Sequence, residues 1–155
     1  FIIRVDRSVR PTYPDWFKGL EHPKLECSGP TEYNLKTGIY EWRHDDQKNG
    51  SVRGRVIYDH LLASNELANQ VGLADLFVIQ AKGLSMFSRL YKGNVVFGWR
   101  SVGQGRGGRL LVPSLYERGG GIVMGWLWLG CLWDYRYPAL RFGKLARRMT
   151  VQSGG

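Results

Sequence analysis

The spacing of apolar residues predicts two helices in the first half of the chain. Residues 53–71 and 75–91 each carry apolar side chains three or four positions apart, which is typical of one face of an α-helix. The first stripe consists of Ile57, Leu61, Ser64, Ala68 and Val71, and the second of Phe77, Gln80, Leu84, Phe87 and Tyr91. Gly72 is predicted to end the first helix, and Asp75 is predicted to cap the second.

Short apolar runs on either side of these helices predict strands. The runs cover 1–5, 95–102, 109–116, 122–129 and 138–142, with glycine-rich or proline-containing loops between them. The order is one strand, two helices and then several antiparallel strands, so we expect an α+β fold. We expect a single domain over residues 1–145, a flexible tail over 146–155, and pairing between the first and last strands, because chain termini often lie close together.

The segment 125–142, "GWLWLGCLWDYRYPALRF", begins as a strand and then loses its pattern. Trp126 and Trp128 would lie on one side of a strand, with Leu127 and Leu129 on the other. From residue 130 to 137 apolar, aromatic and charged residues follow one another without a period, unlike either a core strand or a polar loop. One interpretation is a core strand followed by an irregular loop around a buried Trp133.

Composition restricts the class of partner. The 155 residues carry a formal charge of +9, which favours nucleic acid, an anionic membrane surface or a polyanionic glycan as partner. No nucleic-acid-binding signature is present, the longest apolar run is too short to span a bilayer, and two distant cysteines make no disulfide framework. No signal peptide is visible, and the first residues, "FIIRV", indicate a trimmed N-terminus.

Catalytic and metal-binding patterns are weak. The histidines lack metal-ligand spacing, and the "GQGRGGR" loop lacks the ending of a phosphate-binding loop. The one acid/base candidate is His44 with Asp45 or Asp46, which would suit a hydrolase or transferase, although a solvated turn is the favoured interpretation. We therefore expect no enzyme, no cofactor and no bound metal.

The frame W-x-W-L-x-x-x-W-x-x-x-x-P-A-L-R-F over residues 126–142 resembles the variable region of the target-recognition proteins of diversity-generating retroelements. That family interleaves fixed positions with hypervariable ones, which arise when template adenines, usually in asparagine codons, are randomised. The resemblance implies that the fixed positions are Trp126, Trp128, Leu129, Trp133, Pro138, Ala139, Leu140, Arg141 and Phe142. It implies that the variable positions are Leu127, Gly130, Cys131, Leu132, Asp134, Tyr135, Arg136 and Tyr137. All of these variable residue types can be reached from an asparagine codon by changing its adenines, whereas tryptophan cannot.

The resemblance also implies a fold and a function. Family members have a C-type lectin fold and bind a macromolecular ligand, a protein or a surface glycan, without catalysis. Such a viral or microbial protein would act on a viral particle or a cell surface if it is displayed. The sequence lacks a calcium-ligand set, so calcium-dependent sugar binding is not expected. A basic module that binds single-stranded nucleic acid through exposed aromatic residues is the alternative.

The resemblance suggests how the two sets of residues are arranged. We expect Trp126, Trp128 and Trp133 to support the surface from below while the variable side chains point outward. Tyrosine and arginine are enriched among residues that dominate binding energy, and this favours a binding role for the variable set.

Overall fold

A computed structural model describes residues 1–143 and shows an α+β fold. The strands are β1 (Ile2–Arg4), β2 (Gly19–Leu20), β3 (Glu32–Asn34), β4 (Ile39–Trp42), β5 (Val52–Arg53), β6 (Val96–Phe97), β7 (Gly103–Gln104), β8 (Leu110–Arg118), β9 (Gly121–Trp128), β10 (Leu132–Trp133) and β11 (Ala139–Phe142). The helices are α1 (Pro23–Glu26), α2 (Asp45–Lys48), α3 (Gly54–Ala63), α4 (Leu73–Ala81) and α5 (Leu84–Tyr91). None of the helices within 1–143 has the length and apolar character needed to cross a bilayer. The expected tail, 146–155, lies outside the described residues.

Strand β8 organises the main sheet. One of its edges pairs antiparallel with β9 along its whole length, and its other edge pairs first with β7 and then with β6. The predicted turn between β8 and β9 is confirmed, because Gly119 and Gly120 both have positive φ angles, of 61° and 79°, as a two-residue hairpin turn requires. Pro113 lies between the β6 and β7 pairings, where its missing N–H costs no ladder bond.

The two predicted helices are shorter than their apolar stripes. The first ends at Ala63, because Asn65 adopts a positive φ of 56° and the chain continues into a 3-10 turn at Leu67–Asn69. The second is divided into α4 and α5 by Gly83, whose φ is 102°. Gly72 precedes α4 instead of ending α3, and its N–H donates to the Asp75 carboxylate at 3.0 Å, so Asp75 does cap that helix.

The expected pairing of the first and last strands is wrong. Strand β1 pairs with β3, whereas β11 pairs antiparallel with β4 and parallel with β6. The β1–β3 pair instead contacts β11 through side chains. Tyr33 on β3 packs edge-to-face on Phe142 of β11, with 5.2 Å between the ring centroids, and both side chains are buried. The apolar face of the β1–β3 pair therefore covers the last strand without extending its ladder.

Two apolar clusters form the core. The first fills the space around α4, α5 and the terminal strands and includes Ile3, Tyr33, Leu76, Ile79, Phe87, Leu115, Leu140 and Phe142. The second includes Ile57, Tyr58, Leu61, Phe97, Trp99, Val112, Leu129 and Trp133. The second cluster contains the aromatic and apolar residues on which the segment after β9 lies.

A buried ion pair holds the N-terminal region on α4. Arg7 donates to both carboxylate oxygens of Asp75, at 2.9 and 3.0 Å, and the Tyr33 hydroxyl donates to the same carboxylate at 2.6 Å. Burial raises the pKa of Asp75, but the positive charges of Arg7 and Arg100 outweigh it, so the pKa lies below its ordinary value of 3.8. Asp75 is therefore an ionised, fully buried carboxylate at neutral pH.

Candidate ligand-binding face

Trp133 fixes the centre of the irregular segment. Its side chain is fully buried, with ring centroids 5.5 Å from Trp99 and 5.1 Å from Phe97. Gly54, the first residue of α3, lies against the six-membered ring of Trp133, and a β-carbon there would overlap it. The predicted burial of Trp133 is thus confirmed, and the close approach explains why α3 begins with a glycine.

The start of α3 holds the backbone at 129–131. The N–H groups of Arg55 and Gly54 donate to the carbonyls of Leu129 and Cys131, at 3.0 and 3.1 Å. The Arg53 guanidinium donates to the carbonyl between them, that of Gly130. Residues 132 and 133 then form the antiparallel ladder between β10 and β5. The first amides of a helix lack partners within it, so these carbonyls also satisfy α3.

Gln47 holds both ends of the following turn. Its side chain is 1% exposed, and Nε2 donates to the carbonyls of Asp134 at 2.9 Å and Tyr137 at 3.1 Å. Its Oε1 accepts a bond from the His44 N–H at 2.9 Å, which completes the cap of α2. The amide of Gln47 is thus fixed on both sides, and it joins α2 to the turn at 134–137.

The two inner carbonyls of that turn are also held from outside it. Arg43 Nε donates to the Tyr135 carbonyl at 2.6 Å, and the Val95 N–H donates to the Arg136 carbonyl at 2.7 Å. We call residues 129–137 the anchored segment, because main-chain bonds to residues elsewhere in the chain fix it along its length. Most of these bonds reach its carbonyl oxygens, a group that every amino acid has.

The variable set predicted from the resemblance is divided between exposed and half-buried positions. Leu132 and Tyr135 are 53% and 55% exposed, and Arg136 is also exposed. The half-buried positions are Leu127, Gly130, Cys131, Asp134 and Tyr137. Within this group Leu127, Cys131 and Tyr137 pack against the second core cluster. The predicted variable set therefore combines side chains that point outward with side chains that pack against the second core cluster.

Asp134 shapes the turn through its own side chain. Its carboxylate accepts bonds from the Arg136 N–H at 2.8 Å and from the Arg136 guanidinium at 3.2 Å. Partial burial raises the pKa of Asp134, but these bonds from Arg136 outweigh it and lower the pKa below its ordinary value. In this one place the turn depends on the identity of two side chains of the predicted variable set.

The predicted fixed residues occupy three different environments. Leu129, Trp133, Pro138, Ala139, Leu140 and Phe142 are buried. Arg141 is half-buried and forms an ion pair with Glu66 at 3.4 Å. Trp126 is half-buried, but it packs on Trp16 and Phe17 with centroids 5.4 and 5.1 Å apart.

The expected position of Trp128 beneath the surface is wrong. Its side chain is 41% exposed, and the Arg109 guanidinium lies 4.3 Å from the ring centroid. Strand alternation places Trp128 on the sheet face opposite Leu127 and Leu129. It is the last residue of β9, where the cover provided by Trp16 and Phe17 has ended.

Tyr135 closes a hollow of about 600 Å³ that sequence patterns did not indicate. The other walls come from β4, α2 and α3 and include Trp42, Arg43, His44 and His60. Trp42 stacks on His60 at 5.4 Å between centroids, and the Arg43 guanidinium lies 3.9 Å above the Tyr135 ring. Arg43 and Tyr135 are 92 positions apart in sequence, so no local pattern could have grouped these residues.

The acid/base candidates lie together at the start of α2, with the Asp46 carboxylate 3.8 Å from His44 Nδ1. His44 Nδ1 accepts a bond from the Asp46 N–H at 3.1 Å and so caps α2. Asp45 instead bonds Lys48 at 3.1 Å, and this bond lowers the pKa of Asp45. Across residues 1–143, no cluster of three His, Cys, Asp or Glu side chains could hold a metal ion. The hydrolase or transferase alternative stays a prediction, for which activity lost in a folded His44→Ala variant is the test.

No protein-family model, no curated protein and no solved structure matches the chain. The functional interpretation therefore depends on the geometry of these residues and on the resemblance of the segment 126–142.

Proposed function

We propose that this domain is a ligand-binding module with a C-type-lectin-like fold, whose anchored segment and Leu127 form a face diversified by retroelement mutagenesis. It binds a macromolecular ligand and performs no catalysis. The α+β architecture is compatible with such a fold. The partner is a protein or a glycan on a cell or a virus.

The observation that carries the proposal is the way the segment is held. Arg43, Gln47 and the start of α3 lie outside the predicted variable set and bond to carbonyl oxygens within it. A carbonyl bond does not depend on the side chain of the residue that accepts it. The backbone can therefore keep its path while the side chains change, which is what a diversified binding face requires.

The side chains now present suit recognition of a macromolecule. Tyr135 is more than half exposed, yet it is held by Arg43 through both its ring and its carbonyl, so its rotamer freedom is already reduced. Leu132 adds an exposed apolar surface that gains free energy when a partner covers it. A rigid tyrosine beside an apolar contact is typical of protein-binding loops.

A pair of libraries tests the proposal. In the first, the eight variable positions are randomised with codons that start from asparagine and vary both adenines. In the second, Arg43, Gln47, Gly54 and Trp133 are randomised in the same way. We expect most members of the first library to resist protease like the parent chain and most of the second to be cleaved. Equal loss of folding in the two libraries would refute the proposal.

A genomic observation tests the origin of the diversity separately. The proposal requires a near-identical repeat of the coding sequence for residues 126–142 beside a reverse transcriptase gene. Differences between the two copies should be confined to adenines of the template. A repeat whose differences are spread over all four bases would contradict this mechanism.

A second candidate function is binding of single-stranded nucleic acid. It is favoured by a basic aromatic hollow on the sheet face opposite Leu127. Trp16, Arg106, Arg109 and Leu111 line this hollow of about 550 Å³, beside the exposed ring of Trp128. Bases would stack on the tryptophan rings there, and the two arginines would neutralise phosphates. Fluorescence anisotropy with labelled oligothymidine should then show affinity falling at least tenfold between about 50 and 200 mM salt, and further with Trp128→Ala. Salt-independent or absent binding would rule this function out.

A further inference from the structure

A third hollow, of about 310 Å³, lies beside the anchored segment on the Leu127 face of the sheet. Val95, Phe97 and Leu127 contribute apolar walls, and Ser114, Tyr116 and Tyr137 contribute hydroxyl-bearing walls. We call it the hydroxyl pocket. Its volume lies at the small end of the range for ligand pockets, about 300–1,000 Å³. The hollow therefore suits one side chain or one ring.

The pocket exists because Gly125 has no side chain. Gly125 lies opposite Ser114 in the β8–β9 ladder, on the same sheet face as Leu127. A β-carbon on Gly125 would lie 3.2 Å from Ser114 Oγ and 3.1 Å from a ring carbon of Tyr116. The glycine thus leaves open the space into which Ser114 and Tyr116 face.

Three hydroxyl groups border this space. Ser114 is 4% exposed, so little of it is accessible except where it lines the pocket. Tyr116 and Tyr137, which also line the pocket, are half-buried. Hydroxyl groups on the wall of a largely apolar pocket favour a ligand that carries a hydrogen-bonding group of its own.

We propose that the hydroxyl pocket takes the phenol side chain of a tyrosine presented by a protein partner. This inference rests on the proposed function, because Leu127 and Tyr137 belong to the variable set. The described lining contains no charged and no carboxamide side chain, the groups that usually orient sugar hydroxyls, so a glycan is disfavoured. The apolar walls match the phenol ring, and the hydroxyls match its oxygen.

The pocket can be tested on the whole chain with small probes. ¹⁵N-labelled protein is titrated with p-cresol, toluene and methyl glucoside while amide shifts are followed by NMR. We expect p-cresol to shift the amides of Ser114, Gly125 and Leu127 with saturation, and toluene to bind at least fivefold more weakly. Methyl glucoside should leave these amides unchanged. Equal binding of toluene and p-cresol, tighter binding of the glucoside, or no saturable shift would overturn the proposal.

Three variants separate the pocket from general effects. Ser114→Ala should weaken p-cresol binding about fivefold to tenfold relative to the parent chain, because one hydrogen bond is lost. Ser85→Ala, an exposed serine on α5, is the matched control and should leave the affinity unchanged. Gly125→Val should abolish binding by filling the pocket. If that variant does not fold, Leu127→Trp tests the same point, and persistence of p-cresol binding in either variant would overturn the proposal.

The outcome is independent of the library experiment. If the first library folds and yields binders while p-cresol fails to bind, the hydroxyl pocket is wrong and the proposed function stands. If p-cresol binds as expected but the variable positions do not tolerate randomisation, the pocket stands without the diversified face.

Discussion

Gln47 offers the sharpest test of how the binding face is held. Gln47→Ala removes two bonds to the carbonyls of Asp134 and Tyr137 and the bond from the His44 N–H. Gln47 itself lies outside the predicted variable set, and it contacts that set only at main-chain carbonyls. Any effect on the anchored segment must therefore pass through its backbone.

The expected loss follows from the geometry. Both carbonyl bonds are of ordinary length, at 2.9 and 3.1 Å, and the donor is 1% exposed. An unsatisfied buried polar group costs about 1–3 kcal/mol, and the half-buried state of Asp134 and Tyr137 places each carbonyl at the lower end. Adding about 1 kcal/mol for the lost cap gives about 3 kcal/mol of unfolding free energy.

Urea unfolding at neutral pH measures this loss. Gln104→Ala is the matched control, since Gln104 is exposed and its Nε2 bonds Glu21 at 2.9 Å on the surface. The control should stay within about 0.5 kcal/mol of the parent chain. A loss below about 0.5 kcal/mol for Gln47→Ala would refute the idea that carbonyl bonds to this side chain hold the segment.

Three further outcomes follow from the same geometry. Tyr135→Ala should cost at most about 1 kcal/mol in urea unfolding, the value of an exposed cation–π contact, and a larger loss would place Tyr135 among the core residues. Gly54→Ala should lower the unfolding free energy by at least about 2–3 kcal/mol, because the new β-carbon would overlap Trp133. Gly50→Ala is the control and should lower it by about 0.5 kcal/mol or less. Equal losses in the two variants would contradict the close approach of Gly54 to Trp133. Because the pKa of Asp75 is lowered, its contribution to the unfolding free energy should be fully present well above pH 3.8 and be lost as the pH drops through the lowered pKa. Urea unfolding should therefore lose less stability with falling pH in Asp75→Asn than in the parent chain, and an equal loss would show that Asp75 is not its source.

The sequence predicts the elements whose faces repeat locally. The alternation in β8 and β9 and the glycines at 119–120 specify a hairpin, and the structure contains it. Both helical stripes are too long, and their predicted face is correct only in part. Phe87 and Tyr91 are buried on α5, but α4 buries Leu76 and Ile79 instead of Phe77. One positive-φ residue, Asn65 or Gly83, interrupts each helix, and the stripe of apolar residues continues past it.

Such local patterns could not indicate which distant residues hold the candidate site. Trp133 was found from its place in an aromatic segment, but nothing near Arg43 or Gln47 in sequence indicates that they reach residues 134–137. The pairing of β1 with β3 was missed for the same reason. Periodicity reports which face of an element is buried, and it does not report which distant segment covers that face.

The anchored segment also has an entropic consequence for binding. Fixing the backbone of one residue costs about 1–2 kcal/mol, so ordering a free loop of this length at the moment of binding would cost on the order of 10 kcal/mol. Here Gln47, Arg43 and the start of α3 fix residues 129–137 when the domain folds, before any ligand arrives. A newly exchanged set of side chains therefore starts from an ordered backbone, and even a few modest contacts can give measurable affinity.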